Sequence, residues 1–161
     1  MAAAAAAAVL DLDPSHERAG RVLEDIVRLE QMVFPEHASP ARSLRDELRR
    51  RNFGLIYSTP GAGGEEVAGY AVYTRNTALC ATIIELAVRE SCRRQGHGEA
   101  LLRAAVERCR GRRVQRVILH VDPARAAAVA LYRKAGFQVD ATVEGYYAPQ
   151  RDAYRMFMDL Q

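Results

Sequence analysis

The chain has 161 residues, 49% of them apolar and 27% charged, with a net charge of +3. That length suits a single domain with a buried core, and the balance is that of an ordinary globular protein. No apolar run reaches the ~18 residues needed to cross a membrane. Cys80, Cys92 and Cys109 fall in spacings that build neither a disulfide scaffold nor a zinc site, so they are read as free thiols.

The opening MAAAAAAAVL lacks a basic segment, is poor in Arg and Ser, and runs at once into Asp11 and Asp13, which fits neither a secretory signal nor a transit peptide. Residues 1–8 are expected as a disordered alanine-rich tail and 9–161 as one domain, cytoplasmic by default with the nucleus also open to it. VLDLD, alternating apolar and acidic, predicts a short strand. In DPSHERAGRVLEDIVRLEQMVF, a cap at Asp13 or Ser15, Pro14 in the first turn and Glu17 predict a helix start. Val22, Leu23, Ile26, Val27, Leu29 and Val33 then recur at helical spacing. FPEHASP ends the helix at Pro35 and Pro40, and ARSLRDELRRRN predicts a shorter, charged helix. GLIYS, TPGAGGEE and VAGYAVYTR read as strand, glycine turn and strand, followed by the strand ATIIELAV. RRQGHGEALLRAAVERCR is a loop and then a helix, with Leu101, Leu102, Ala105, Val106 and Cys109 on one stripe. VQRVILHVD is a strand, and PARAAAVALYRKAG is a helix between Pro123 and Gly136. FQVDATV is a strand, GYYAPQRD a loop and AYRMFMDL the last strand. Hairpins in front and an αβα finish make a mixed α/β (α+β) single domain.

The loop RRQGHG stands directly before a helix. A helix N-terminus carries unpaired N–H groups and a partial positive charge, which suits an anion. Phosphate oxygens reach such amides only where side chains are absent, and Gly96 and Gly98 meet that need. Arg93 and Arg94 add charge at the rim. Lys134 is the only lysine, and the fork of arginine matches phosphate oxygens, although most arginines also serve as a solvated surface. No Gly-Lys-Ser/Thr follows, which excludes a Walker loop, and Leu101 stands where a dinucleotide fingerprint places its third glycine.

Arg93-Arg94-Gln95-Gly96-His97-Gly98 resembles the Arg/Gln-x-x-Gly-x-Gly/Ala loop of the GNAT superfamily of acetyl-CoA-dependent N-acetyltransferases. LHVDPARAAAVALYRKAGF resembles the family's next block. EGYYAPQRDAYRM and VFPEH are similar to the tyrosine loop and the substrate loop of the branch that acetylates protein N-termini, including ribosomal-protein alanine acetyltransferases. The resemblance runs from Leu10 onward. It implies a mostly antiparallel twisted sheet splayed after the fourth strand. The pantetheine arm of acetyl-CoA would lie against Leu86, Ala87 and Val88, and the pyrophosphate on Arg93, Arg94, Gln95, Gly96, His97, Gly98 and Glu99. The amine would enter between Phe34-Pro35 and Tyr146-Tyr147.

Acyl transfer to an amine needs a neutral amine, a donor for the developing oxyanion and a stabilised leaving thiolate. His120 alternates with Leu119 and Val121, so it faces the cleft if they face the core. The matching family position often holds the base, while a hydrogen-bonded strand histidine is the plain alternative. Glu85, an acid among apolar residues that is costly to bury without a partner, is the second candidate for proton acceptor or ammonium holder. Thr82 stands where some relatives carry a Glu or Tyr base and cannot do that work. Tyr132 matches the tyrosine beside the sulfur. Proton transfer from a phenol near pKa 10 to a thiolate near 8.5 is uphill by roughly 2 kcal/mol, so hydrogen bonding to sulfur is its expected role. The Val88 amide is the expected oxyanion donor. Arg125 replaces the family's asparagine and is expected to reach the cofactor phosphates or to be solvated. The four histidines share no metal-ligand spacing, so no metal is expected.

An N-terminal α-amine near pKa 8 is neutral several hundred times more often at pH 7 than a lysine near 10.4. That favours protein N-termini, with small amines such as serotonin or polyamines, and protein lysine, as alternatives. A non-catalytic acetyl-CoA-binding module also remains. A nucleic-acid partner is not expected, since 20 acids offset the arginines and no aromatic residues interleave them. Oligomeric state is not set by the sequence.

Overall fold

A computed structural model describes residues 8–35, 42–60 and 67–160. Residues 1–7 of the expected alanine tail, most of FPEHASP and most of the stretch expected as a glycine turn lie outside them. In chain order the elements are β1 (Val9–Asp11), α1 (Ala19–Val33), α2 (Arg42–Glu47), β2 (Phe53–Ser58), β3 (Gly69–Arg75), β4 (Cys80–Val88) and a single turn at Glu90–Cys92. There follow α3 (His97–Gly111), β5 (Arg116–Val121), α4 (Ala126–Ala135), β6 (Gln138–Ala148) and β7 (Arg151–Asp159). The strands form one sheet in the order β1-β2-β3-β4-β5-β7-β6, antiparallel throughout except for β4 against β5.

Each face of the sheet is sealed by helices. On one side the expected stripe of α3, with Leu101, Leu102, Ala105, Val106 and Cys109, packs with Tyr132 of α4 against Ile83, Val117, Leu119, Val121 and Met156. On the other, Ile26 and Leu29 of α1 and Leu44 of α2 cover Leu55, Tyr70, Val72 and Ala87. Alternation along the strands assigns each residue its side.

Two irregularities in β4 make the site. The register on β3 shifts, with Val72 opposite Glu85 but Tyr73 opposite Ile83, so Ile84 is an extra residue. A bulge of this kind re-phases everything beyond it. Ala81 and Ile83 face α3, whereas Ala87 faces α1 together with Val72. Second, the parallel ladder with β5 runs only from Cys80 opposite Arg116 to Ile83 opposite Leu119. Beyond that point β4 and β5 part, as the resemblance implies.

Three boundaries differ from expectation. α1 begins at Ala19, because the Asp13 carboxylate accepts hydrogen bonds from the Ser15 amide at 2.9 Å and the Ser15 hydroxyl at 2.7 Å, closing a turn instead of capping the helix. α4 begins at Ala126, with Pro123 in the preceding turn. GYYA is not loop but the end of β6. Gly145 accommodates an irregularity there at φ 62°, its N–H donating to Asp152 Oδ1 at 2.9 Å, and the chain reverses only at Pro149-Gln150.

Candidate active site

The divergence of β4 from β5 opens a cleft of about 1450 Å³, lined among others by Phe34, Pro35, Thr82, Glu85, Leu86, Ala87, Val88, Arg93, Arg94, Gly96, His97, Gly98, Glu99, His120, Arg125, Tyr132, Tyr146 and Tyr147. Of the residues singled out from the sequence only Gln95 is not in the wall; it is exposed, its side-chain amide 3.4 Å from the Ser91 carbonyl.

On the α3 side the wall is built for an anion. Gly96 precedes the helix at φ 88°, a left-handed conformation that glycine adopts without strain. No side chain caps α3, and its first helical bond is from Ala100 N–H to the Gly96 carbonyl. The amides of His97, Gly98 and Glu99 therefore precede the ladder and point out of the helix end. Gly98 has a second reason to be glycine: a Cβ there would lie 3.2 Å from Leu131 Cδ2 and 3.6 Å from Val88 Cγ2. Buried His97 anchors the loop from below, its Nδ1 3.0 Å from the hydroxyl of buried Ser58 on β2. Arg93 and Arg94 stay exposed at the rim. Uncapped amides, two side-chain-free positions and two guanidinium groups fit a diphosphate.

Tyr132 is buried at the bottom of this side, and burial pushes its phenol up. That weakens it as an acid and leaves it a hydrogen-bond donor. Arg125 is exposed, as one of its expected readings has it, and its guanidinium also lies 5.1 Å from the Phe34 ring centre in the cleft wall.

The opposite side holds the titratable groups. Leu119 and Val121 are buried in the α3 core, and His120, between them, turns into the cleft. Tyr146 stacks on His120 with centroids 4.3 Å apart and planes 8° from parallel, and Tyr147 meets Tyr146 edge-on at 4.9 Å. Burial and, second, the Arg155 charge lower the His120 pKa against a smaller opposing pull from Asp140, so the ring is neutral at pH 7. Tyr147, half-buried, is pushed up to about 12, chiefly by burial. Thr82 is occupied in donating to Asn76 Oδ1 at 2.6 Å.

Glu85 faces α1. Its Oε2 accepts from the hydroxyl of wholly buried Tyr70 at 3.0 Å, and its carboxyl lies in hydrogen-bonding reach of that of Glu30 on α1, which is 4% exposed. Burial, then Glu30, pushes Glu85 up to about 8. Sequence reasoning missed Glu30 and Tyr70. The signal was present: Glu30 follows Ile26 by four residues, an acid set into the apolar stripe of α1. Among the described residues no group of His, Cys, Asp or Glu is arranged to hold a metal ion, and no helix is long and apolar enough to cross a membrane.

A diverging parallel strand pair with an uncapped, arginine-rimmed helix at its mouth fits the class of proteins that take a diphosphate-bearing cofactor into an open cleft. A family model described as the acetyltransferase (GNAT) family matches residues 21–137. The ribosomal protein bS18-alanine N-acetyltransferase of Escherichia coli K12 is 39% identical over 72 residues, covering 45% of this chain and 48% of its own. An N-alpha-acetyltransferase of Sulfurisphaera tokodaii is 36% identical over 79 residues, 48% of this chain and 47% of its own. The chain thus spans about half the length of these two curated relatives. The crystal structure of Ard1 from Thermoplasma volcanium superposes with a TM-score of 0.82 at 27% identity, over 97% of this chain and 99% of that one. The chain belongs to the GNAT family and is an acetyl-CoA-dependent N-acetyltransferase of that type.

Proposed function

We propose that the acceptor is the α-amino group of a protein N-terminus and that transfer is direct, in a ternary complex. The observation that carries this reading is the division of the cleft. An uncapped, guanidinium-rimmed amide cradle lies on the α3 side, and a wall of His120, Tyr146, Tyr147, Phe34 and Pro35 lies on the other, joined through the gap where β4 leaves β5. Two relatives named for N-terminal or alanine acetylation match over about half their length, in keeping with this choice.

In this reading Leu86, Ala87 and Val88 run alongside the pantetheine arm, and Gly96 to Glu99 hold the diphosphate. The acceptor nitrogen bonds to the acetyl carbonyl carbon as the carbon–sulfur bond breaks, the Val88 amide faces the carbonyl oxygen, and the Tyr132 hydroxyl steadies the thiolate. His120, neutral and oriented by Tyr146, takes the amine proton directly or through water, with Glu85 the second acceptor. An α-amine near pKa 8 asks only for a mild base.

The test is thiol release from acetyl-CoA with N-terminal peptides of varied first residue, lysine peptides, serotonin and polyamines. Turnover with the N-terminal peptides at least tenfold above the others supports the reading. Preference for lysine peptides or small amines replaces it, and cofactor binding without thiol release from any amine reduces the chain to a binding module.

A further inference from the structure

We propose that Glu30 and Glu85 work as one carboxyl pair sharing a single proton behind the acceptor wall, with Glu30 the positioning residue that decides when Glu85 is free to take the ammonium proton. The inference rests on the reading of the cleft as an amine-acetylating site.

The geometry requires the proton. An ionised carboxylate only accepts hydrogen bonds, so two carboxyl groups in hydrogen-bonding reach hold together only if one of them is protonated. Glu30 comes from α1 and is 4% exposed; Glu85 comes from β4 just past the bulge and lines the cleft. The groups that act on Glu85 come from three elements. From α1 it meets Glu30, from β3 the Tyr70 hydroxyl donating to Oε2, and from α2 the farther Glu47, which has Arg50 beside it. Partial burial on the apolar α1 side of the sheet, which holds Leu29 and Val72, raises the cost of a second negative charge.

Two states follow. With the proton in place the pair carries one charge, and Glu85 is tied up donating to Glu30. Once the proton leaves, two carboxylates face each other in a poor dielectric, and the side chain at the cleft becomes a strong proton acceptor. Glu85 carboxylate then takes H⁺ from the acceptor ammonium, giving the carboxylic acid and the neutral amine. No other bond changes, and the pair returns to its one-proton form. Glu30 touches no substrate, since it is absent from the cleft wall.

The test compares wild type with Glu30→Gln. The amide is isosteric and donates to Glu85, so it holds that carboxylate ionised with no shared proton. The titration of the Glu85 side-chain carboxyl, followed by its ¹³C shift, is expected near 8 in the wild type and lower by at least about one pH unit in Glu30→Gln. The midpoint of kcat/KM against pH for one peptide acceptor is expected to move the same way, raising kcat/KM at pH 6.5 by roughly tenfold with the KM for acetyl-CoA unchanged. The amine's own titration is common to both proteins and cancels. A wild-type midpoint in the ordinary carboxylate range, or one that Glu30→Gln does not move, overturns the pair. A moved carboxyl titration with an unmoved rate profile overturns its role in proton transfer. If no amine is acetylated, the ¹³C titration still decides the pair, while the functional reading fails separately.

Discussion

Replacing Glu85 by Gln turns the buried pair into a stability measurement that needs no substrate. The glutamine oxygen still accepts from Tyr70 and its amide donates to Glu30, so the packing is kept while the titration is removed. In the wild type the folded-state pKa is raised from 4.5 to about 8. Below pH 4.5 folded and unfolded chains both hold the proton, and the carboxyl adds no pH dependence. Between 4.5 and about 8 the unfolded chain releases it and the folded chain does not, so native stability falls as pH rises. The part of this loss that falls between pH 5 and pH 8.5 is on the order of 4 kcal/mol. For a domain of this size each kcal/mol moves Tm by about 2–4 °C, so Glu85→Gln is expected to gain roughly 8–16 °C on the wild type between pH 5 and pH 8.5. Thermal unfolding followed by circular dichroism at half-unit pH steps reads the difference, in which titrating groups other than the coupled Glu30 cancel. A gap that stays constant over that range refutes the argument.

Gly98→Glu is expected to abolish acetyl-CoA binding with Tm largely retained, because the new side chain starts 3.2 Å from Leu131 and carries its charge into the anion cradle; calorimetric titration showing normal affinity would sink the phosphate-loop assignment. His120→Ala is expected to lower kcat by about 10²-fold or more with an unchanged KM for acetyl-CoA. Because burial lowers the His120 pKa, the imidazole is already in its basic form at pH 7 and above, and unchanged turnover in the variant across pH 6–9 removes His120 as base. Asp25→Ala strips the partner from Arg89, whose Nη2 lies 3.1 Å from the carboxylate, and from the Val67 amide at 2.7 Å. Denaturant unfolding is expected to show a loss of about 3 kcal/mol, and a change below about 0.5 kcal/mol would mean the α1 tether carries no weight.

The helices and strands that seal the two cores were legible because burial imposes a period. The α3 stripe from Leu101 to Cys109 and the alternation about His120 survive intact, since each buried side chain there has only one face to choose. The glycine loop was legible because only a backbone requirement explains Gly96 and Gly98 before a helix. What stayed hidden depends on partners distant in sequence. GYYA looks like a loop from Gly145 and Pro149, yet the ladder with β7 and the Asp152 carboxylate hold Gly145 within β6. The cap expected at Asp13 was lost to a nearer competitor, Ser15. Glu30 and Glu85 lie 55 positions apart, and only the packing of α1 across β4 brings their carboxyls together. The tie between Arg125 and Phe34 is of the same kind.

Ile84, the supernumerary residue of β4, has an outcome that no point substitution reproduces. The pleat advances one step at Ile84, and each side chain after it stands on the side opposite to that an unbroken count would assign. An unbroken pleat that took Ile84 into the ladder opposite Val72 would swing Glu85 toward the coenzyme-facing layer, turn Leu86 and Val88 toward α1, and disassemble the reaction chamber while every functional group stayed in the chain. Excising Ile84, by contrast, would leave Glu85 opposite Val72 and Ile83 opposite Tyr73, each on its present side.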